Sequence, residues 1–280
     1  MQQSYPTRAP AEEIARAAEW IRNADALLIT AGAGMGVDSG LPDFRGNEGL
    51  WRAYPALGAR KCSFESIANP DAFRDDPSFA WGFYGHRLKR YREAEPHAGF
   101  EVLLRWAARM QHGAFVYTSN VDGQFQKAGF HENRVVECHG SIHHLQCAQS
   151  CNNDIWSANG FEPVIDEPAC RMVGELPRCP HCGKLARPNI LMFWDHVWLE
   201  ERTDRQMMRL RSWMARVECL VVVEVGAGTA LPTIRRFSER HGPRVVRINA
   251  RESQIDHAIG IGIADGALDA LRAIDTVVGA

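Results

Sequence analysis

Ala31-Gly32-Ala33-Gly34-Met35-Gly36-Val37-Asp38-Ser39-Gly40-Leu41-Pro42-Asp43-Phe44-Arg45 follows directly on an apolar run, Ala26-Leu27-Leu28-Ile29-Thr30. The run is short and continuous, which reads as a buried parallel strand. Gly32 and Gly34 then let the backbone turn sharply and leave amide N–H groups open to a pyrophosphate. The strict dinucleotide fingerprint has a third glycine where Val37 stands, so the turn alone is a weak signal. Pro42-Asp43-Phe44-Arg45 is more specific. It sets a carboxylate, an aromatic ring and a guanidinium side by side, and Arg suits phosphate and ribose oxygens.

Gly32 to Gly46 closely resembles the first signature of the sirtuins, the NAD-dependent protein deacylases. The resemblance extends over nearly everything from Ala11 to Ile274 and implies a bacterial-type single-domain enzyme with a divergent substrate loop. Around the signature, Ala11 to Arg22 carries Ile14, Ala17, Ala18 and Ile21 on one face, an amphipathic helix. Phe115 to Thr118, Val135 to Glu137, Cys219 to Val225 and Arg244 to Ile248 read as strands, and Ala267 to Ile274 as a closing helix. Alternating strands and helices predict an α/β, doubly wound parallel (Rossmann-like) sheet. The aromatic-rich segment from Trp51 to Pro96 has no strand pattern and reads as inserted helices. The expected division of 11–280 is therefore a Rossmann-like NAD domain from 11–50, 97–140 and 193–280, a small helical module at 51–96 and a zinc-ribbon module at 141–192.

The 280 residues suffice for a full core, and the net charge of −2 supplies no basic field for nucleic acid. No apolar run is long enough to span a bilayer, and the first residues lack the apolar centre of a signal peptide. A cytoplasmic protein is expected, without nucleic-acid or membrane partners. In that setting eight cysteines call for a metal or a reaction rather than disulfides. Cys147-x3-Cys151 and Cys179-x2-Cys182 are two close thiolate pairs, the spacing of a tetrahedral zinc site. Four sulfur ligands close the site, so one structural zinc per chain is expected. Cys170 is left over.

Two further motifs end strands. Thr118-Ser119-Asn120-Val121-Asp122-Gly123 and Glu137-Cys138-His139-Gly140 both fall at the C-terminal edge of the sheet, where open α/β folds bind ligands. A histidine there, facing an Asn/Asp loop, is a candidate general base. The resemblance implies the roles. His139 is the base on the ribose hydroxyls, Asn120 orients the nicotinamide ribose and a water, and Asp122 with the Val121 backbone holds the carboxamide. NAD is consumed as co-substrate, and the products are nicotinamide, free lysine and O-acyl-ADP-ribose. The implied NAD contacts are Gly32, Ala33, Gly34, Asp43, Phe44, Arg45, Ser119, Asn120, Val121, Asp122, Gly226, Ala227, Gly228 and Asn249. An acyl-lysine protein or peptide is the implied partner, bound by strand addition along Leu191, Phe193 and Trp194.

Ser119 stands where the family has Gln, Gly36 for Ser, Ala227 for Thr, and Phe193-Trp194-Asp195 for Phe-Gly-Glu. Trp194 is expected to narrow or reshape the acyl-lysine tunnel. Tyr84-x-x-Arg87 places a phenol and a guanidinium on one helix face, a pair able to hold a carboxylate. Sirtuins that remove succinyl and malonyl groups carry this motif, which implies a preference for acidic acyl groups. The competing readings are an ADP-ribosyltransferase or NAD hydrolase on the same fold, and an idle NAD-binding module.

Overall fold

The computed structural model describes residues 11–43 and 46–279. Phe44 and Arg45, two of the expected NAD contacts, lie outside the described residues. The chain begins with α1 (Ala11–Arg22) and β1 (Ala26–Ala31), both at the expected places. Every residue of β1 is buried, as expected of a strand covered on both faces. After β1 come a 3-10 turn, Ala33–Ser39, and α2 (Gly46–Ala53). The Trp51–Pro96 segment carries helices and no strand, continuing with α3 (Pro55–Ala59), α4 (Phe64–Ile67), α5 (Pro70–Asp75) and α6 (Pro77–Glu93). Local chemistry starts these short helices. Ser63, Asn69 and Asp76 each accept an amide at an N-terminus, and Pro70 and Pro77 occupy first helical positions.

The sheet resumes after α7 (Gly99–Ala108) with β2 (Ala114–Thr118), a single turn α8 (Gln124–Lys127) and β3 (Val135–Glu137). The cysteine-bearing segment folds as small antiparallel sheets. β4 (Gly140–Cys147) pairs with β5 (Ile155–Ser157) and β8 (Ala186–Ile190), and β6 (Ile165–Asp166) pairs with β7 (Arg171–Met172). Then follow α9 (Glu201–Met214), β9 (Leu220–Val225), α10 (Thr233–Glu239), β10 (Val245–Ile248), β11 (Gly260–Ile263) and α11 (Ala267–Val278).

The main sheet is parallel, in the order β11-β10-β9-β1-β2-β3. One apolar core lies under α1, α7 and α11, a second under α9 and α10, so helices cover both faces. That is the expected doubly wound arrangement. From β1 the chain turns first to β2 and β3, and later to β9 on the other side. The order therefore reverses at β1/β9, and the crevice beyond the C-terminal ends of these strands is where such sheets bind ligands. A third core joins the helical segment to the small sheets: Trp81, Phe83 and Leu88 of α6 pack with Ile142, Leu145 and Ile190.

Candidate active site

The crevice is built from glycine. Gly32 N–H donates to Val225 O and Gly34 N–H to Gly226 O, each at 3.0 Å. A Cβ on Gly34 would lie 2.6 Å from Gly226 Cα, and one on Gly226, at φ 65°, would lie 2.4 Å from Gly34. No side chain fits between the two turns, so they pack as one backbone layer. The turn after β1 is 3-10 rather than an α-helical first turn, and its Gly40, at φ 77°, closes it.

The next loop is tied to the same layer. Thr118 Oγ1 donates to Ala31 O and accepts from Asn120 N–H, both at 3.0 Å, and Asn120 Nδ2 donates to Gly32 O at 3.0 Å. Asp122 Oδ1 accepts from Gln124 N–H at 2.9 Å, and the Asp122 carbonyl accepts from His143 Nε2 at 2.9 Å. Burial pushes the Asp122 carboxyl up to about 6, the nearby Glu137 charge adding to it. His139 follows β3, in register with this loop: Thr118 lies opposite Glu137. Burial lowers its pKa below 6.5, so at neutral pH the imidazole is a neutral base. Its carbonyl accepts from Leu191 N–H at 3.0 Å, which joins the histidine to the segment after β8. Gly140, at φ 76°, has the Asn189 carbonyl 2.0 Å from where a Cβ would sit, so only glycine can follow this histidine.

Asn249 is 2 % exposed, and its side chain is spent on backbone. Nδ2 donates to Ala227 O, and Oδ1 accepts from the Arg251 and Glu252 amides. It shapes the Gly226-Ala227-Gly228 turn from behind. Ser119, Val121 and Asp43 lie on or beside the same loops; Ser119 N–H donates to Ala31 O.

His97 is a site residue that motif reading passed over. Its Nδ1 accepts from Gly99 N–H, so Nε2 carries the proton and donates to Met35 O at 2.9 Å; its own amide donates to Ser39 Oγ. The ring pins the glycine-rich turn to the start of α7. Its signal in the sequence was slight, a histidine after Pro96 at a helix start.

In the segment expected to meet the substrate, Phe193 N–H donates to Ala68 O, and its ring meets Phe64 edge-on at 6.0 Å. Leu191 is exposed. Trp194 is 66 % exposed at φ 54°, so its indole stands on the surface. The family glycine at this place has a physical reason, since the left-handed conformation favours it. Asp195 fixes the bend. It takes a bidentate pair from Arg187 at 2.7 and 3.0 Å, both side chains fully buried, and accepts the Met192 and Val197 amides. Tyr84 and Arg87 are both buried in α6. The Arg87 guanidinium lies 5.7 Å from the Tyr84 ring centroid and donates through Nε and Nη2 to Tyr91 Oη, while Tyr84 packs on Phe73 and Phe83. Burial holds the Tyr84 phenol up at about 12.

Cys147, Cys151, Cys179 and Cys182 converge, with all four Sγ atoms within 4.8 Å of one another. Cys147 and Cys182 are 3.7 Å apart, and Cys151 and Cys179 3.6 Å. Four sulfurs about 2.3 Å from a tetrahedral zinc stand about 3.8 Å apart, so the cluster fits the ion. Cys170 lies apart, packed against Gly82.

The Sir2 family model matches residues 32–231. The chain belongs to the Sir2 family. A Pyrococcus furiosus protein named NAD-dependent protein deacylase is 34 % identical over 230 residues, covering 81 % of this chain and 83 % of that one. NAD-dependent protein deacylase 1 of Pseudomonas aeruginosa is 32 % identical over 243 residues, with 85 % and 88 % covered. A Sir2 homologue solved as an NAD complex superposes with a TM-score of 0.69 at 25 % identity, covering 94 % of this sirtuin and 93 % of that chain. The family is enzymatic, as the signature had implied, and these relatives act with NAD.

Proposed function

We propose that this sirtuin is an NAD-dependent protein-lysine deacylase that favours acidic acyl groups. The observation that carries the deacylase reading is the knitting of three strand-end loops around one crevice, with neutral, desolvated His139 and Asn120 on two of them. NAD, bound as co-substrate, supplies an electrophilic ribose carbon once nicotinamide departs. The protein's residues do the rest. The glycine turns offer amides to the pyrophosphate. Asp122, with the Val121 backbone, holds the carboxamide, its carboxylate accepting from the amide N–H. Asn120, braced by Gly32 O, orients the ribose. His139 takes the ribose hydroxyl proton at an imidazole nitrogen, and the desolvated site keeps it unprotonated beforehand. The acyl-lysine peptide lies as an added strand beside Leu191 and Phe193, with the Arg187–Asp195 pair holding that segment rigid.

The acidic-acyl preference rests on Arg87, 8 % exposed in α6 and ringed by Phe83, Tyr84 and Tyr91. A desolvated guanidinium among phenols suits a carboxylate far better than a methyl group. The test is kcat/KM on matched acetyl, succinyl and malonyl peptides, wild type against Arg87→Met. Succinyl or malonyl should be preferred by wild type, and the variant should lose about 2–5 kcal/mol of transition-state binding for those acyls while acetyl changes little. Equal losses on all three would make Arg87 a packing residue. NAD consumption without deacylation of any peptide would favour ADP-ribosyl transfer or NAD hydrolysis instead.

A further inference from the structure

At the opposite, N-terminal edge of the sheet lies a cavity of about 390 Å³. It opens between the loop that follows α7, the start of β3 and the end of α9, and Met110, His112, Gly113, Arg134, Trp213 and Arg216 line it. Trp213 is buried and anchored, its Nε1 donating to His112 O at 2.8 Å. The Arg134 guanidinium sits 6.0 Å from the Trp213 ring and 5.8 Å from Phe115. Its Nη1 is buried and has no hydrogen-bond partner among the described residues. Such orphaned donors are uncommon and call for an explanation.

The charge around it is one-sided. Arg216 is the second guanidinium of the cavity, and among the described residues no carboxylate lines it. Burial and the Arg216 charge both press the Arg134 pKa down. Asp25, whose carboxylate is 4.0 Å from His112, is occupied by the Glu218 and Cys219 amides. Two like charges therefore converge on an apolar floor without a counter-charge, an arrangement that an anion completes.

We propose that this cavity is a binding site for a small organic anion, its phosphate or carboxylate head held by Arg134 and Arg216 and its flat apolar body laid against Trp213 and Met110. The volume falls in the range of small-molecule sites. The site is separate from the NAD crevice, because β2 runs from Ala114 at this edge to Thr118 at the other.

The test is calorimetric titration of the full-length protein with phenyl phosphate, benzoate and inorganic phosphate, backed by thermal shift. Phenyl phosphate or benzoate should bind, and the stronger of the two names the head group. Inorganic phosphate should bind more weakly than phenyl phosphate. Arg134→Gln and Arg216→Gln should each weaken binding by about tenfold or more, the scale of one lost charge-assisted contact. Deacylase turnover and zinc content should stay unchanged. Arg216 is exposed, so its variant keeps the test open should Arg134→Gln fold poorly. No binding of any probe at about 10 mM, well above the millimolar range of weak sites, would overturn the proposal. So would affinity unaltered by Arg216→Gln, and inorganic phosphate binding as tightly as phenyl phosphate would remove the apolar half of the claim.

Discussion

His139 and Asp122 are shifted by the same burial in opposite chemical senses, and each shift has a measurable result. Desolvation disfavours the imidazolium, so His139 holds its proton only at pH values below 6.5. The acidic limb of the kcat/KM profile should accordingly fall below the ordinary histidine range, and an inflection at 7 or above would assign it to another group. His139→Ala should cut deacylation by about 10²–10⁴, the usual worth of a positioned base, while zinc content and NAD binding persist. Asp122 is raised to about 6 against an ordinary 3.8. Between these values the folded state holds a proton that the unfolded state has lost, so this group's contribution to stability falls as pH rises through that window and is flat above it. The loss at neutral pH is about 2–3 kcal/mol. Asp122→Asn keeps the acceptor for Gln124 N–H and cannot ionise. Its Tm should exceed wild type at pH 7.5, with the gap closing towards pH 4. A lower Tm at pH 7.5 would mean that the carboxylate is stabilised by a partner stronger than its burial cost.

The loop after β8 carries a conflict between its sequence and its conformation. Trp194 adopts a left-handed backbone that costs a non-glycine residue about 1 kcal/mol or more, and its exposed indole recovers little by packing. Trp194→Gly should therefore raise stability by about 0.5–1 kcal/mol, even after glycine's extra unfolded-state entropy. Chemical denaturation of the two proteins checks it; a less stable variant would mean that the indole makes contacts worth more than the strain. The same element-scale physics explains what was legible. α1 could be read because its apolar residues follow the helical period, and β1, β2, β3 and β9 because short continuous apolar runs mark strands covered on both faces. α9 could not, since Thr203 and Gln206 sit among its buried positions and serve Glu137 by hydrogen bonds. β11 was hidden by Gly260 and Gly262, which are glycine because the Val245 and Ser253 carbonyls come within about 2 Å of any Cβ there. In the candidate site, strand-end motifs pointed to Asn120, Asp122 and His139. The fixed ring of His97 depends on Met35, far away in sequence, which no local pattern encodes, and the Asn249 amide reaches Ala227 besides its own neighbours Arg251 and Glu252.

Across the whole molecule, stability is divided between the parallel sheet and a separate core shared by the helical segment and the four-cysteine segment. Cys179→Ala should lose the zinc, and with it the folding free energy that binding supplies. The damage should spread through Leu145 and Ile190 into α6 before it reaches β1. Calorimetry should resolve an early transition absent from wild type, with the far-UV signal of the sheet surviving it; full metal retention would show that the four thiolates are not the ligands.

The strand order also dictates how this chain must be made. β1 is the centre of the sheet, yet its two neighbours are synthesised far apart: Leu27 meets Ala114 on one side, while Ala26 waits for Leu220 on the other. As the polypeptide leaves the ribosome, β1 with β2 and β3 can assemble early, and the half-sheet then carries an open edge of unpaired backbone groups until most of the chain has emerged. Nascent chains stalled before Leu220 are thus templates for self-association, so the second glycine turn completes the nucleotide crevice at the same moment that it seals the sheet against aggregation.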